Sequence, residues 1–352
     1  MKKFIIISSI VCAFCACGTT HKSQSQEQQA VSIEFCADSA YAFCAAQCQY
    51  GPRTMNSEAH EQCGQWIQRK FEQYGYLVQL QKADLRGYDG TILHSTNILA
   101  RTPSHPPRGE GMDSSIANSP KGGKADSSPR GGREGVILIC AHWDSRPWAD
   151  NDPDEKNWRT PVMGANDGAS GVGVMLELAR LLAQHDSARV VVDFLCLDAE
   201  DWGMPQWADG ADSDSWALGA QYFADHFKGG QVNYQYAILL DMVGGQGARF
   251  YREAYSMHYA RSVVDRVWRA ASAAGYGSFF PNEDGGGVTD DHVPLNETAH
   301  IPTIDIINHY PDCQQSSFGP TWHTVNDDMQ HLDHNTLQAV GQTLVQLIFG
   351  EP

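Results

Sequence analysis

The apolar run from Val190 to Leu197 reads as a buried β-strand, and it empties directly into Asp198, Glu200 and Asp201. A strand of this kind confines the chain to folds whose sheet is covered. Carboxylates gathered where a buried strand ends are costly unless something neutralises them. In open α/β sheets the carboxyl end of a strand is also where ligands bind. The competing reading is an acidic turn in solvent, and the rest of the chain decides between the two.

The pattern recurs. Val136 to Ala141 is a short apolar run ending in His142-Trp143-Asp144, Tyr236 to Leu240 delivers Asp241, and Pro302 to Asn308 reads as the last strand. Upstream, Leu77 to Lys82 and Leu93 to Arg101 read as strands joined by a hairpin-like turn at Gly87 to Gly90. Helical periodicity fills the intervals. Residues 33–50 and Asn56 to Tyr74 are amphipathic, with Ser57 placed to cap the second helix. Val172 to Gln184 puts Val172, Met175, Leu176, Ala179 and Leu182 on one face. Further helices are expected from Trp216 through Phe227, from Met257 to Ala274 and from Asn335 to Phe349. Short buried strands alternating with helices predict an α/β fold. It is a three-layer αβα arrangement around a central, mostly parallel, mixed and twisted sheet.

Residues 31–352 read as one domain. Within it, residues 103–133 are rich in Pro, Gly and Ser and nearly free of bulky apolar side chains, which predicts a disordered insertion between two strands. The first residues are a targeting segment. Lys2 and Lys3 precede the apolar run Phe4 to Phe14, too short to span a bilayer but suited to a signal peptide. Cys15-Ala16-Cys17-Gly18 resembles a bacterial lipobox, so residues 1–17 are expected to be a lipoprotein signal with Cys17 lipidated; plain secretion is the alternative. Residues 18–30 would then be a flexible tether. Export exposes thiols to oxidation. Past Cys17 the cysteine count is odd, and one or two bridges are expected among Cys36, Cys44, Cys48 and Cys63. A net charge of −17 argues against a nucleic-acid partner.

The chemistry-bearing residues collect at the strand ends. His142, Asp144, Glu200, Asp201 and Asp241 come at or just after strand C-termini, and His323 lies in the loop after the last strand. Asp167 sits in the turn before the helix at 172–184, where the dipole favours an anion; capping that helix is its other reading. Parallel strands share one C-terminal edge, so these residues are expected to converge. Imidazole nitrogen and carboxylate oxygen without thiolate suit a catalytic zinc with an open position.

Six stretches carry a narrower likeness: AHWDSRPW (141–148), GANDGASGVGVMLELAR (164–180), FLCLDAEDWG (194–203), LLDMVG (239–244), DDHVPL (290–295) and WHT (322–324). GPR at 51–53 also fits. The chain resembles the zinc aminopeptidase-like superfamily. Within it, it is most similar to the glutaminyl-peptide cyclotransferases in their bacterial, animal-like form. The likeness covers nearly all of 31–352 except the insertion. It implies one zinc per chain held by Asp167, Asp201 and His323, with Glu200 as general acid and base. It further implies Asp241 and Asp291 as hydrogen-bonding groups around Glu200, and Trp322 and Trp207 as walls of the substrate pocket. Asp201 departs from the Glu of the animal enzymes, yet remains a hard oxygen ligand. His142 matches a second-metal ligand of the peptidases and stays outside the implied zinc set.

The implied reaction is closure of an N-terminal glutamine to pyroglutamate with release of ammonia. The implied partners are peptides and proteins with N-terminal Gln, met in the periplasm by a monomer whose one membrane contact is its lipid. The rival on the same fold is a two-zinc aminopeptidase using His142 and Asp241 at its second site. Against it, Asp167 is followed by Gly168, where such peptidases often carry an adjacent acidic pair. A lipid-anchored binding protein without turnover is the third reading, which the intact Glu200 and His323 oppose.

Overall fold

The central strands are apolar on both faces, as a sheet covered from two sides requires. The computed structural model describes residues 30–103, 135–210, 213–228 and 232–350. The expected signal peptide with Cys17, the tether apart from Ala30 and the insertion from residue 104 onward lie outside the described residues. The first elements are α1 (Ala37–Cys48), α2 (Glu58–Gln73), β1 (Leu77–Arg86) and β2 (Ile92–Arg101). They are followed by β3 (Val136–His142), α3 (Ala169–Gln184), β4 (Val191–Leu197) and α4 (Leu218–His226). The chain closes with β5 (Tyr234–Asp241), α5 (Ala254–Ala273), α6 (His292–Glu297), β6 (Thr303–Ile307) and α7 (His334–Phe349).

The sheet order is β1-β2-β4-β3-β5-β6. The β1–β2 hairpin runs antiparallel and joins β4 antiparallel, whereas β4, β3, β5 and β6 are mutually parallel. Period-two alternation divides the strand side chains between two cores. Ile137, Ile139, Val192, Phe194 and Ile238 face the core that α1, α2, α3, α5 and α7 cover. Leu138, Cys140, Leu195, Leu197 and Leu239 face the smaller core under α4 and α6. This is the expected αβα sandwich with a mixed, mostly parallel sheet. Asp193 interrupts the apolar run of β4, and its carboxylate accepts from the Thr102 amide at 2.9 Å and the Tyr234 hydroxyl at 3.0 Å. The interruption is thereby satisfied rather than buried bare.

Register fixes the functional edge. His142 pairs with Leu197 and Asp241 with Ile307, so the parallel strands all end at one level. The predicted elements are present with small shifts at their ends. Ser57 caps α2 by accepting from the His60 amide. The third helix begins at Ala169, before the periodic stretch starts, and the short α6 was not anticipated. A six-residue helix holds less than two full turns, too few for its periodicity to show.

The expected disulfides are not formed: Cys36, Cys44, Cys48 and Cys63 are all free, as are Cys140, Cys196 and Cys313. Cys44 and Cys63 are fully buried, and the Cys44 thiol donates to the Ala169 carbonyl at 3.4 Å against Gly173. Burial pushes the Cys63 thiol up to about 12 and the Cys48 thiol up to about 11, so both behave as apolar packing.

Phe194 is fully buried between the rings of Phe71 and Tyr76, with centroids 5.4 Å from each. Phe194→Ala is expected to lower the unfolding free energy by about 3–5 kcal/mol in denaturant titration. A change below about 1 kcal/mol would contradict this packing.

Candidate metal centre and its cleft

Each side chain at the functional edge is held by a backbone device that the local sequence supplies. Asp144, two residues past β3, accepts from the amides of Glu200 and Asp201, both at 3.1 Å. One carboxylate therefore fixes the turn that presents both residues. Asp198 fixes the same turn from below, accepting from the Ala199 amide at 2.9 Å, the Thr96 amide at 2.5 Å and His60 Nε2 at 2.8 Å. Asp198 is structural. Ala199 between them adopts a left-handed backbone with φ of 53°.

Asp167 is presented by the turn before α3. Asp327 accepts from the Asn166 and Asp167 amides at 2.7 and 3.0 Å. The buried Arg53 guanidinium donates to the carbonyls of Trp143, Met163 and Gly164 and ties this turn to the end of β3. Gly168 has φ of +96°, and a Cβ there would lie 2.5 Å from the Asp144 carbonyl oxygen, so glycine is required.

His323 approaches from the loop before α7. Its Nε2 lies 3.1 Å from Asp201 Oδ1 and 3.5 Å from Asp167 Oδ2. Its Nδ1 faces Asp150 Oδ1 at 3.5 Å, and Arg146 holds that carboxylate through Nε and Nη2. Arg146 also donates to the Asp201 and Gly203 carbonyls at 2.9 Å. A carboxylate behind the far nitrogen is how metal-binding imidazoles are oriented. Opposite, His142 Nε2 lies 3.0 Å from Asp167 Oδ1 and 3.2 Å from Asp241 Oδ1. The two oxygens of Asp167 are thus divided between two histidines.

The cluster fits a metal ion. Asp201 is 1% exposed, yet neither of its oxygens has a hydrogen-bond partner. His142, Asp167 and Asp201 each place a ligand-type atom within 4.8 Å of the others. Three carboxylates and two imidazoles without a thiolate form a hard donor set suited to zinc.

A cleft of about 320 Å³ opens onto this cluster, lined among others by Glu200, Asp241, Asp290, Trp216, Phe318 and Trp322. Glu200 is half-buried, and burial, reinforced by the adjoining Asp201, raises its carboxyl well above the usual range. Trp322 stacks on His323 with centroids 3.9 Å apart, so the wall reading for Trp322 agrees with the geometry. The corresponding reading for Trp207 does not. Trp207 packs outward against Trp148, Trp158 and Arg159, and Trp216 lines the cleft in its place, parallel to His323. Asp291, implied as a hydrogen-bonding group near Glu200, does not itself line the cleft, though its charge is among those that raise the Glu200 carboxyl. It is fully buried with both oxygens unpartnered, and burial and Asp290 raise its carboxyl, while Asp290 is the residue that reaches the cleft. Consecutive residues at the start of a helix point in different directions, and Asp290 accepts from the Asp291 amide. Asp241 reaches the cleft, but its close partner is His142 rather than Glu200.

Arg146, Asp150, Asp327 and Trp216 were not singled out in the sequence. Arg146 sits within the AHWDSRPW stretch and Asp150 two residues beyond it; Asp327 and Trp216 lie in loops with no pattern to mark them.

In the metal-free protein burial pushes the His323 pKa down, but Asp201 outweighs it and the group stands at about 9. Burial and Asp201 lift Asp167 to about 6. At neutral pH one imidazole proton must leave before Nε2 can bind a metal, and below about pH 6 a carboxyl proton must leave as well. Zinc affinity is expected to fall about tenfold per pH unit between about pH 8 and 6, and more steeply below. Calorimetry in buffers of different ionisation enthalpy should count about one proton released per zinc at pH 7; none released would contradict this electrostatic picture.

Comparison with known proteins agrees with this geometry. Residues 125–348 match Peptidase family M28. A Bacteroides thetaiotaomicron glutaminyl cyclase bound to N-acetylhistamine is 42% identical, with a TM-score of 0.79 over 91% of this chain and 99% of that one. A Zn-dependent exopeptidase from Parabacteroides distasonis is 38% identical, with a TM-score of 0.80 over 91% and 99%. An aminopeptidase of Bacillus subtilis is 27% identical over 226 residues, a match that spans 61% of this chain but 40% of that protein. By the extent of these matches and by the site they enclose, the chain belongs to peptidase family M28.

Proposed function

We propose that this chain is a zinc-dependent glutaminyl-peptide cyclotransferase, converting the N-terminal glutamine of peptides and proteins to pyroglutamate with release of ammonia. The observation that carries the reading is Glu200. It stands on the cleft wall beside the orphaned Asp201 carboxylate, with its backbone fixed by Asp144 and its own carboxyl raised well above its ordinary range by burial and Asp201. The 42% identity to a glutaminyl cyclase along nearly the whole of both chains supports it.

Asp167, Asp201 and His323 would hold a single zinc at the reaction centre, and zinc there supplies Lewis-acid polarisation of the glutamine γ-carbonyl. The chain's own residues do the rest. The α-amine forms a bond to the γ-carboxamide carbon, and the bond from that carbon to the amide nitrogen breaks. Glu200 takes the proton the amine loses and returns it to the departing nitrogen, which leaves as ammonia. A group with a raised pKa suits both halves of that shuttle. Trp216, Phe318 and Trp322 present flat apolar walls that hold the side chain folded back on its amine and limit competing water. No step needs an external nucleophile.

The proposal extends to location. Lys2, Lys3, the run Phe4 to Phe14 and Cys17 support export and lipidation, and with them a periplasmic enzyme tethered by its lipid. Among the described residues no helix is long and apolar enough to cross a membrane.

A second reading has one observation in its favour. His142 Nε2 lies 3.0 Å from Asp167 and 3.2 Å from Asp241, the residues a two-metal aminopeptidase would use at its second site. Mass spectrometry of a Gln-initiated peptide separates the two: loss of one ammonia with the peptide intact is expected, and release of free glutamine would establish the aminopeptidase instead. Glu200→Gln should lower kcat by about 10²- to 10⁴-fold with the metal content of the wild type retained. Near-normal turnover in that variant would remove Glu200 from the proton path.

A further inference from the structure

Beyond the cleft wall formed by Asp290 lies a buried cluster that the proposed reaction does not use. Asp290 from the loop before α6, His292 at the start of α6 and Asp305 in the middle of β6 each bring a ligand-type atom within 4.8 Å of the others. They are 4%, 0% and 1% exposed. Neither oxygen of Asp305, nor His292 Nδ1, nor Asp290 Oδ2 has a hydrogen-bond partner, and His292 Nε2 meets only the Glu253 carboxylate. So many bare polar atoms at one buried place are unusual, and each calls for a physical reason.

The surroundings orient this set. Glu253 accepts from the amides of Tyr255, Ser256 and Val288, which keeps it ionised, and its Oε2 faces His292 Nε2 at 3.3 Å. Nε2 is turned to Glu253, and Nδ1 faces Asp305 Oδ2 at 4.0 Å. A carboxylate behind the far nitrogen of an imidazole is the support that metal-ligating histidines receive. A proton shared between Asp290 and Asp305 would satisfy one oxygen of each and leave the second oxygen of Asp305 bare. A cation satisfies all three residues together.

We propose that Asp290, His292 and Asp305 form a second divalent-cation site, separate from the Asp167–Asp201–His323 centre. Two carboxylates and one imidazole select an ion of the zinc and manganese class. Asp290 lines the cleft, which gives the ion a path of entry. Once bound, it ties the loop before α6 to β6 and, through Glu253, to the first turn of α5. The site thereby stiffens one wall of the cleft without touching substrate.

The test is metal stoichiometry on the full chain, stripped with chelator, reloaded with Zn²⁺ or Mn²⁺ and desalted before elemental analysis. Wild type should hold two equivalents, and Asp305→Asn and Asp201→Asn one each. One equivalent in wild type overturns the proposal, as does an Asp305→Asn protein that still holds two. A loss in His142→Ala with none in Asp305→Asn would place the second ion between His142 and Asp241 and also overturn it. Should Asp305→Asn fail to fold, anomalous scattering from crystals of the reloaded wild type locates the ions directly. A peak among Asp290, His292 and Asp305 is expected, and its absence overturns the assignment. Failure of the cyclisation reaction would leave every one of these counts unchanged, so the two proposals fall separately.

Discussion

Negative charge packed at the ends of buried strands is the constraint on which this structure depends. Asp144, Asp150, Asp167, Asp198, Asp201 and Asp241 all lie at or near one edge of the sheet, and none is more than a tenth exposed. Each must find a counter-charge or a donor, since a bare buried carboxylate costs several kcal/mol. How each is neutralised divides the set by role. Asp144 and Asp198 are satisfied by backbone amides and so build the turn. Asp150 is satisfied by Arg146 and so orients His323. Asp201 is fully buried with neither oxygen hydrogen-bonded, and its closest basic neighbour is His323. A carboxylate buried without a donor, beside others that backbone amides and Arg146 satisfy, is a carboxylate kept for a ligand.

The same reasoning explains what could be read in the sequence. Strand ends and their acids were visible because apolar runs and charges are properties of composition along the chain. Asp167, Asp201 and His323 do converge, as parallel strands with one C-terminal edge require. The direction in which a given side chain points is a different matter. Asp290 and Asp291 are adjacent and chemically identical, and only the start of α6 decides which faces the cleft. Trp207 and Trp216 share one long loop between β4 and α4, and the loop's path, not its composition, brings Trp216 over His323. The cysteines follow suit. Spacing suggested bridges, whereas burial against Ala169 and Gly173 uses Cys44 as a small core residue.

Backbone strain marks the same edge. Ala199, Met242 and His323 have φ between 48° and 53°, a region that non-glycine residues enter at a cost of order 1 kcal/mol each. Each adjoins a residue of the cluster or belongs to it. The strain persists because the surroundings over-determine it. The Ala199 carbonyl accepts from the Leu218 amide, and its amide donates to Asp198. The His323 carbonyl accepts from the Asn151 amide. These bonds hold the turns that present Glu200 and His323.

One scaffold therefore presents two half-sites around Asp167, and what separates a one-metal cyclase from a two-metal peptidase is subtle. The His142–Asp167–Asp241 half keeps its geometry but is closed on itself, with imidazole and carboxylates neutralising one another at 3.0–3.2 Å. The three side chains hold His142 in its charged form, raised well above its ordinary range despite burial. In the other half Asp201 offers two free oxygens. An ion entering the first half must displace a proton that three carboxylates, Asp144, Asp167 and Asp241, help to retain. An ion entering the second must likewise displace the proton on His323, which Asp201 and Asp150 help to retain, but it meets in Asp201 a carboxylate with no other donor. Both halves therefore exchange an imidazole proton for a metal, and what distinguishes the second is the open carboxylate of Asp201.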